Sequence, residues 1–218
     1  MPDLYPIARS DVPLELKPHV DALVWNLLAI GAAPKWFRAA LELYRLADAK
    51  LWADHAQQVR DPHKLAVRWI CMACLDGAMQ VYHGRKALDG ISQTLRDLPK
   101  LKEAVDHQAL RGVRRQFDTD FPNWEVLRHA VSHSSELGMT AAAFAANAAI
   151  QHVDSTTGIG ERSVGMRTSG STLLMSIGGQ NYSYDLSEEN LQKLIAYRVE
   201  IRRILAAPNL YFSMKKVT

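Results

Sequence analysis

From Lys17 to about residue 152 the apolar residues of this chain recur at intervals of three and four, a spacing that commits most of it to α-helix. Leu23, Val24, Leu27, Leu28 and Ile30 predict one short helix that stops at Gly31. Pro34 suits the first turn of a second, which carries Phe37, Leu41, Tyr44, Leu51 and Trp52. Asp61-Pro62 restarts the pattern, and Leu65, Trp69, Met72, Leu75, Met79 and Tyr82 continue it to Gly90. Beyond Gly90 the spacing predicts a helix over Ile91 to Leu98 and another from about Lys100 to Phe117. A break is then expected at Asp118-Thr-Asp-Phe-Pro122.

The texture changes at Ser155. The segment from there to Leu186 holds six of the twelve glycines and three β-like runs, about Arg162–Arg167, Ser171–Ile177 and Asn181–Asp185. Thr168-Ser169-Gly170 and Gly178-Gly179 read as hairpin turns, the second because both glycines tolerate positive φ. A closing helix starts after Asp185 or Ser187, with Glu188 and Glu189 in the first turn where negative charge is favoured. It is expected to stop at Pro208, with a loose tail KKVT beyond. The expected fold is mainly α: one domain over residues 1–218, a helical bundle over about 17–152, an antiparallel β-meander over about 159–186 and a C-terminal helix over about 187–207.

A chain of 218 residues buries a full hydrophobic core. Its net charge of +3 permits an anionic partner without demanding one. Two cysteines make no disulfide framework, which fits a reducing compartment. The N-terminal stretch MPDLYPIARSDVPLELKPH mixes acid, proline and base where a signal peptide needs an apolar run. No stretch approaches the roughly 18 uninterrupted apolar residues of a membrane span. A soluble, cytoplasmic protein with no membrane partner is the expectation.

One stretch carries more chemistry than a core helix needs. Arg128-His-Ala-Val-Ser-His-Ser-Ser135 holds an arginine, two histidines and three serines. Wound as a helix over Trp124 to Glu136, Leu127 and Val131 fall with Trp124 on one core-facing side, and His129 and His133 lie on the other. Arg128 is far from His133 around the axis, but its long side chain reaches towards an anion on the outer face. An imidazole can take a proton from a ribose 2′-hydroxyl or give one to a leaving oxygen. A guanidinium can hold a phosphate bidentately and offset charge developing in the transition state. Ser132 can add a hydrogen bond, and this chemistry needs no metal. The same residues are also compatible with an arginine paired to an acid and histidines that merely cap or solvate the surface.

Arg128-His129-Ala130-Val131-Ser132-His133 resembles the motif of HEPN domains: an arginine, then Asn, Asp or His, three variable residues and a histidine. The Phe121-Pro122 break before it, its place late in a helical bundle and the closing helix after a small sheet are similar to uncharacterised bacterial HEPN-like proteins. The resemblance spans Leu23 to Leu205, with its specificity in the six-residue motif. It implies a metal-independent endoribonuclease that leaves 2′,3′-cyclic phosphate ends and needs no cofactor, with its site formed where two motif helices meet in a homodimer. By position, Arg128 would bind phosphate, His133 would be catalytic, and His129 would orient groups or RNA. His at the second position is less usual there than Asn. HEPN proteins commonly act in toxin–antitoxin or defence systems, which implies an antitoxin partner. Many relatives are non-catalytic, so a dimeric module binding RNA, a nucleotide or a protein is the alternative.

Other patterns are weaker. His129-x-x-x-His133 has zinc-ligand spacing but Ala130 stands where the base glutamate of a zinc peptidase belongs, and a third ligand could be Glu136 or the distant His107. Cys71-Met-Ala-Cys74 has no second pair and reads as two small core residues. Arg111, Arg114 and Arg115 form an i, i+3, i+4 cluster that is either a solvated face or an RNA-binding track. Arg198 falls on the apolar stripe of the last helix and is expected to find an ion pair or an interface. Gly158 and Gly160 read as turn glycines.

Overall fold

A computed structural model of the protein describes residues 12–56, 62–133, 139–147, 149–153, 160–163 and 165–213. The fold is mainly α-helical, with a small antiparallel sheet before the C-terminal helix. The helices are α1 (Lys17–Ala56), α2 (Pro62–Thr94), α3 (Pro99–Ala104), α4 (His107–Asp120), α5 (Trp124–His133), α6 (Ala141–Asn147) and α7 (Glu188–Ser213). The strands are β1 (Ala149–Val153), β2 (Gly160–Ser163), β3 (Gly165–Ser169), β4 (Thr172–Ile177) and β5 (Gln180–Asp185). No helix among the described residues is long and apolar enough to cross a membrane.

Three expected breaks are not breaks. α1 runs unbroken through Gly31 and Pro34. A proline inside a helix removes one backbone hydrogen bond, but Ala33 and Phe37 beside it are fully buried, so packing holds the helix where propensity would end it. α2 likewise runs through Gly90 to Thr94 and ends in a 3-10 turn, Leu95–Asp97. Gly90 is a packing residue: a Cβ there would fall on the side-chain amide of Asn26 in α1. α7 continues past Pro208 to Ser213. Conversely, the single helix expected from Lys100 to Phe117 is two, α3 and α4, because Asp106 interposes as an N-cap whose carboxylate accepts from the Gln108 and Ala109 amides at 3.0 and 2.9 Å. The expectations for residues 134–136, Gly158 and the tail after Ser213 concern positions outside the described residues.

The chain forms two compact units. The first comprises Met1–Lys35, His83–Pro122 and Leu191–Thr218. Its interior holds an aromatic cluster in which the Phe117 ring lies 4.8 Å from Phe121 and 4.9 Å from Tyr197, centroid to centroid. Beside it runs a chain of charges. Arg85, only 6% exposed, donates from Nε and Nη2 to the two carboxylate oxygens of Asp118 at 2.6 and 3.1 Å. Its Nη1 lies 2.5 Å from Asp89, which also accepts from Arg114 Nη2 at 2.6 Å. Two arginines and two aspartates thereby neutralise one another. Tyr197 donates its hydroxyl to Asp120, and burial together with that hydrogen bond pushes its pKa up.

The second unit, Trp36–Tyr82 and Asn123–Asn190, contains the β structure. β3, β4 and β5 form the expected meander, in that order. Its turns sit where positive φ is supplied: Gly170 (φ 58°) next to the Ser169–Thr172 pair, and Gly178 and Gly179 (φ 57° and 72°) inside the Ile177–Gln180 pair. The first run expected as one strand, Arg162–Arg167, divides between β2 and β3, and β2 pairs with β1, a strand not anticipated. Leu173, Met175, Tyr184 and Leu186 are buried. Gly77 of α2 admits this layer: a Cβ there would lie 2.5 Å from Leu186 Cδ1. The Tyr184 ring packs edge-on to Phe37, and Cys74 Sγ lies 3.6 Å from the Ser171 carbonyl oxygen. In α7, Ser187 Oγ accepts from the Asn190 amide at 3.3 Å, which caps the helix as its sequence suggested.

Candidate functional site

α5 begins abruptly because Asn123 adopts a left-handed conformation, φ 65°, which asparagine tolerates better than most residues. Glu125 sits in the first turn, where its charge is favourable. The wheel expected from sequence is recognisable: Trp124 and Val131 are half-buried, whereas Arg128 and His129 are exposed. Within this unit Trp124 lies against Tyr82 of α2, ring centroids 5.8 Å apart and tilted by 38°. One turn further on, the Arg128 guanidinium stands over the same Tyr82 ring, 5.7 Å from its centroid. The result is a partly exposed aromatic surface edged by a cation, an arrangement stabilised by the negative face of the ring. No acidic partner of Arg128 occurs among the described residues, so the ion pair that was its bland alternative is not found there. His129 follows on the exposed side. Ser132 and His133 belong to the last turn of α5, and their side chains lie outside the described set.

This geometry can hold a nucleotide by its two halves. A base stacks on an aromatic face, and a guanidinium meets a phosphate. Tyr82 was legible in the sequence only as a core residue of its helix and Trp124 only as the inward side of α5. The pairing that makes them a surface depends on two helices distant in the chain, and no local pattern announces it.

The three arginines expected as a track belong to the first unit and do not act alike. Arg111 and Arg114 line a cleft of about 430 Å³, which Arg96, Lys102 and His107 also line. Arg115 is exposed and outside that lining. A rise in basic residues across 96–115 was the available signal for Arg96 and Lys102.

The remaining candidates resolve into structure. Cys74 is fully buried and Cys71 partly so, both as free thiols. Burial, followed by the neighbouring Cys71, pushes the Cys74 thiol up to about 12. Among the described residues no three His, Cys, Asp or Glu side chains gather closely enough to hold a metal ion. Arg198 is half-buried on α7 with its Nε shielded from water, and no ion pair of Arg198 occurs among the described residues. Burial, followed by repulsion from Arg202, lowers its pKa.

No protein-family model, curated protein or solved structure matches the chain.

Proposed function

We propose that this protein is a metal-independent endoribonuclease of the HEPN type, acting as a homodimer in which two copies of α5 form the site. The observation that carries the reading is the exposed face of α5. There Arg128, free of an acidic partner among the described residues, projects beside the Tyr82–Trp124 surface with His129 on the following residue. In the proposed reaction the ribose 2′-oxygen attacks the adjacent phosphorus and the 5′-oxygen leaves, giving a 2′,3′-cyclic phosphate. His133 is the base that takes the 2′-hydroxyl proton or the acid that protonates the leaving oxygen, and the partner copy supplies the complementary role. Arg128 holds the phosphate and offsets its developing charge. His129 and Ser132 orient the RNA, and Arg111, Arg114 and Arg115 bind its backbone. A toxin–antitoxin or defence role, with an antitoxin as partner, fits an activity that a cell must restrain.

A second reading rests on the same contact. A guanidinium placed over a ring is as well suited to clasping a base as to splitting a phosphodiester, which favours a non-catalytic dimeric module for RNA, nucleotide or protein. Incubation with structured RNA in EDTA separates the two. Cleavage by the wild-type protein that falls by about 100-fold or more in Arg128→Ala and in His133→Ala supports the nuclease. Cleavage that survives both substitutions, or that EDTA abolishes, rejects it.

A further inference from the structure

The cleft of about 430 Å³ in the first unit is walled by three consecutive segments: the end of α2 with its 3-10 turn, α3, and the first two turns of α4. Four permanent cations converge on it, Arg96, Lys102, Arg111 and Arg114, and His107 joins them. No carboxylate lines it among the described residues. The acids of these segments are engaged elsewhere or stand outside. Asp89 holds Arg85 and Arg114, Asp97 faces His19 at 3.3 Å, Asp106 caps α4, and Glu103 is exposed away from the lining. Arg114 is already paired with Asp89, and the three remaining cations gathered in a concave surface repel one another unless an anion enters.

Two members are held in place before any ligand arrives. Asp89 anchors Arg114 through Nη2, and the buried Arg114 Nε has no hydrogen-bond partner among the described residues. His107 Nε2 lies 2.7 Å from the Lys102 carbonyl oxygen, an acceptor only, so Nε2 carries a proton and the ring is fixed against α3. Arg96, Lys102 and Arg111 are exposed and can close on whatever occupies the cleft. Leu110 supplies an apolar wall. The volume falls within the range of small-ligand sites.

We propose that this cleft binds the phosphate of a nucleotide, either a free nucleotide or one within an oligonucleotide. The proposal requires no chemistry at α5 and stands whether or not the protein cleaves RNA.

The test measures binding to the full chain at low salt of two probes: adenosine diphosphate and a short 2′-O-methyl oligoribonucleotide, which cannot be cleaved by 2′-oxygen attack. The double variant Lys102→Gln/Arg111→Gln is expected to lose about tenfold in affinity for whichever probe binds. For the oligonucleotide, the slope of log affinity against log salt is expected to shrink by about 1.4, roughly 0.7 for each cation removed. Arg38→Gln, an exposed cation of the other unit, serves as the control for loss of a surface charge and should leave affinity unchanged. Binding of the diphosphate identifies a free-nucleotide site, and binding of the oligonucleotide alone identifies a strand site. Failure of both probes to bind, or equal losses in the double variant and in Arg38→Gln, overturns the proposal.

Discussion

A line of ion pairs in the first unit and helix α5 of the second handle charge in opposite ways. In the first, Asp118, Arg85, Asp89 and Arg114 form a continuous line of ion pairs, half of it shielded from water. In the second, α5 carries Arg128 and His129 on its exposed face, with a ring under the guanidinium and no acidic partner for Arg128 among the described residues. Charges locked to one another mainly determine shape, since breaking a buried pair strands the survivor. A cation held against an aromatic face remains available to an incoming anion. The contrast marks Arg85 as architecture and Arg128 as a candidate for function, although both are arginines on helices beside polar neighbours.

Substitution tests that contrast directly. Asp89→Ala removes the carboxylate shared by Arg85 and Arg114. Because Arg85 is almost fully buried, urea denaturation should show a loss of about 3 kcal/mol, the lower end of the range for broken buried pairs given the partial exposure of Asp89. Arg128→Ala should change stability by no more than about 0.5 kcal/mol in the same experiment, as surface substitutions usually do. Similar losses in both variants would erase the distinction between the two arginines.

A second difference lies in titration. Cys74, in the interior of the second unit, has its thiol raised by burial from the ordinary value of 9.0 to about 12. A group whose folded pKa is raised contributes its full stability below the unfolded value and loses it as pH rises towards the folded one. Between about pH 9 and 12 the unfolded chain releases this proton and the folded chain keeps it. Stability should therefore fall by up to about 1.4 kcal/mol per pH unit on account of this group. Tyr184 and Tyr197, both raised by burial, add to the decline from about pH 10 upward. Denaturation midpoints at pH 8 and pH 10 should diverge less in Cys74→Ala than in the wild type. An unchanged pH slope would show that the thiol titrates as it does in water.

The sequence made most of the fold legible where local chemistry decides it. Gly178-Gly179 had to turn because two successive positive φ values suit little else, and Ser187 with Glu188 and Glu189 announced α7. It misled where packing overrides propensity. Pro34 and Gly90 look like helix ends, but one lies beside buried Ala33 and Phe37 and the other admits Asn26. Asp106 is the opposite case: a single N-cap divided a stretch whose apolar spacing is otherwise continuous. Of the candidate site, Arg128 and His129 were visible as residue types on a helix face. The Tyr82 ring beneath Arg128, and the joining of Arg96 and Lys102 to Arg111 and Arg114, arise only when distant or successive segments fold together.

The proposed chemistry at α5 rests on attack by a ribose 2′-oxygen. It is tested most directly by mapping where the protein cuts an RNA and replacing the nucleotide 5′ to that bond with its 2′-deoxy counterpart. Cutting there should cease, and the unmodified RNA should yield a 2′,3′-cyclic phosphate at the same position. Continued cutting at the deoxy position, or product ends bearing a 3′-hydroxyl, would contradict it.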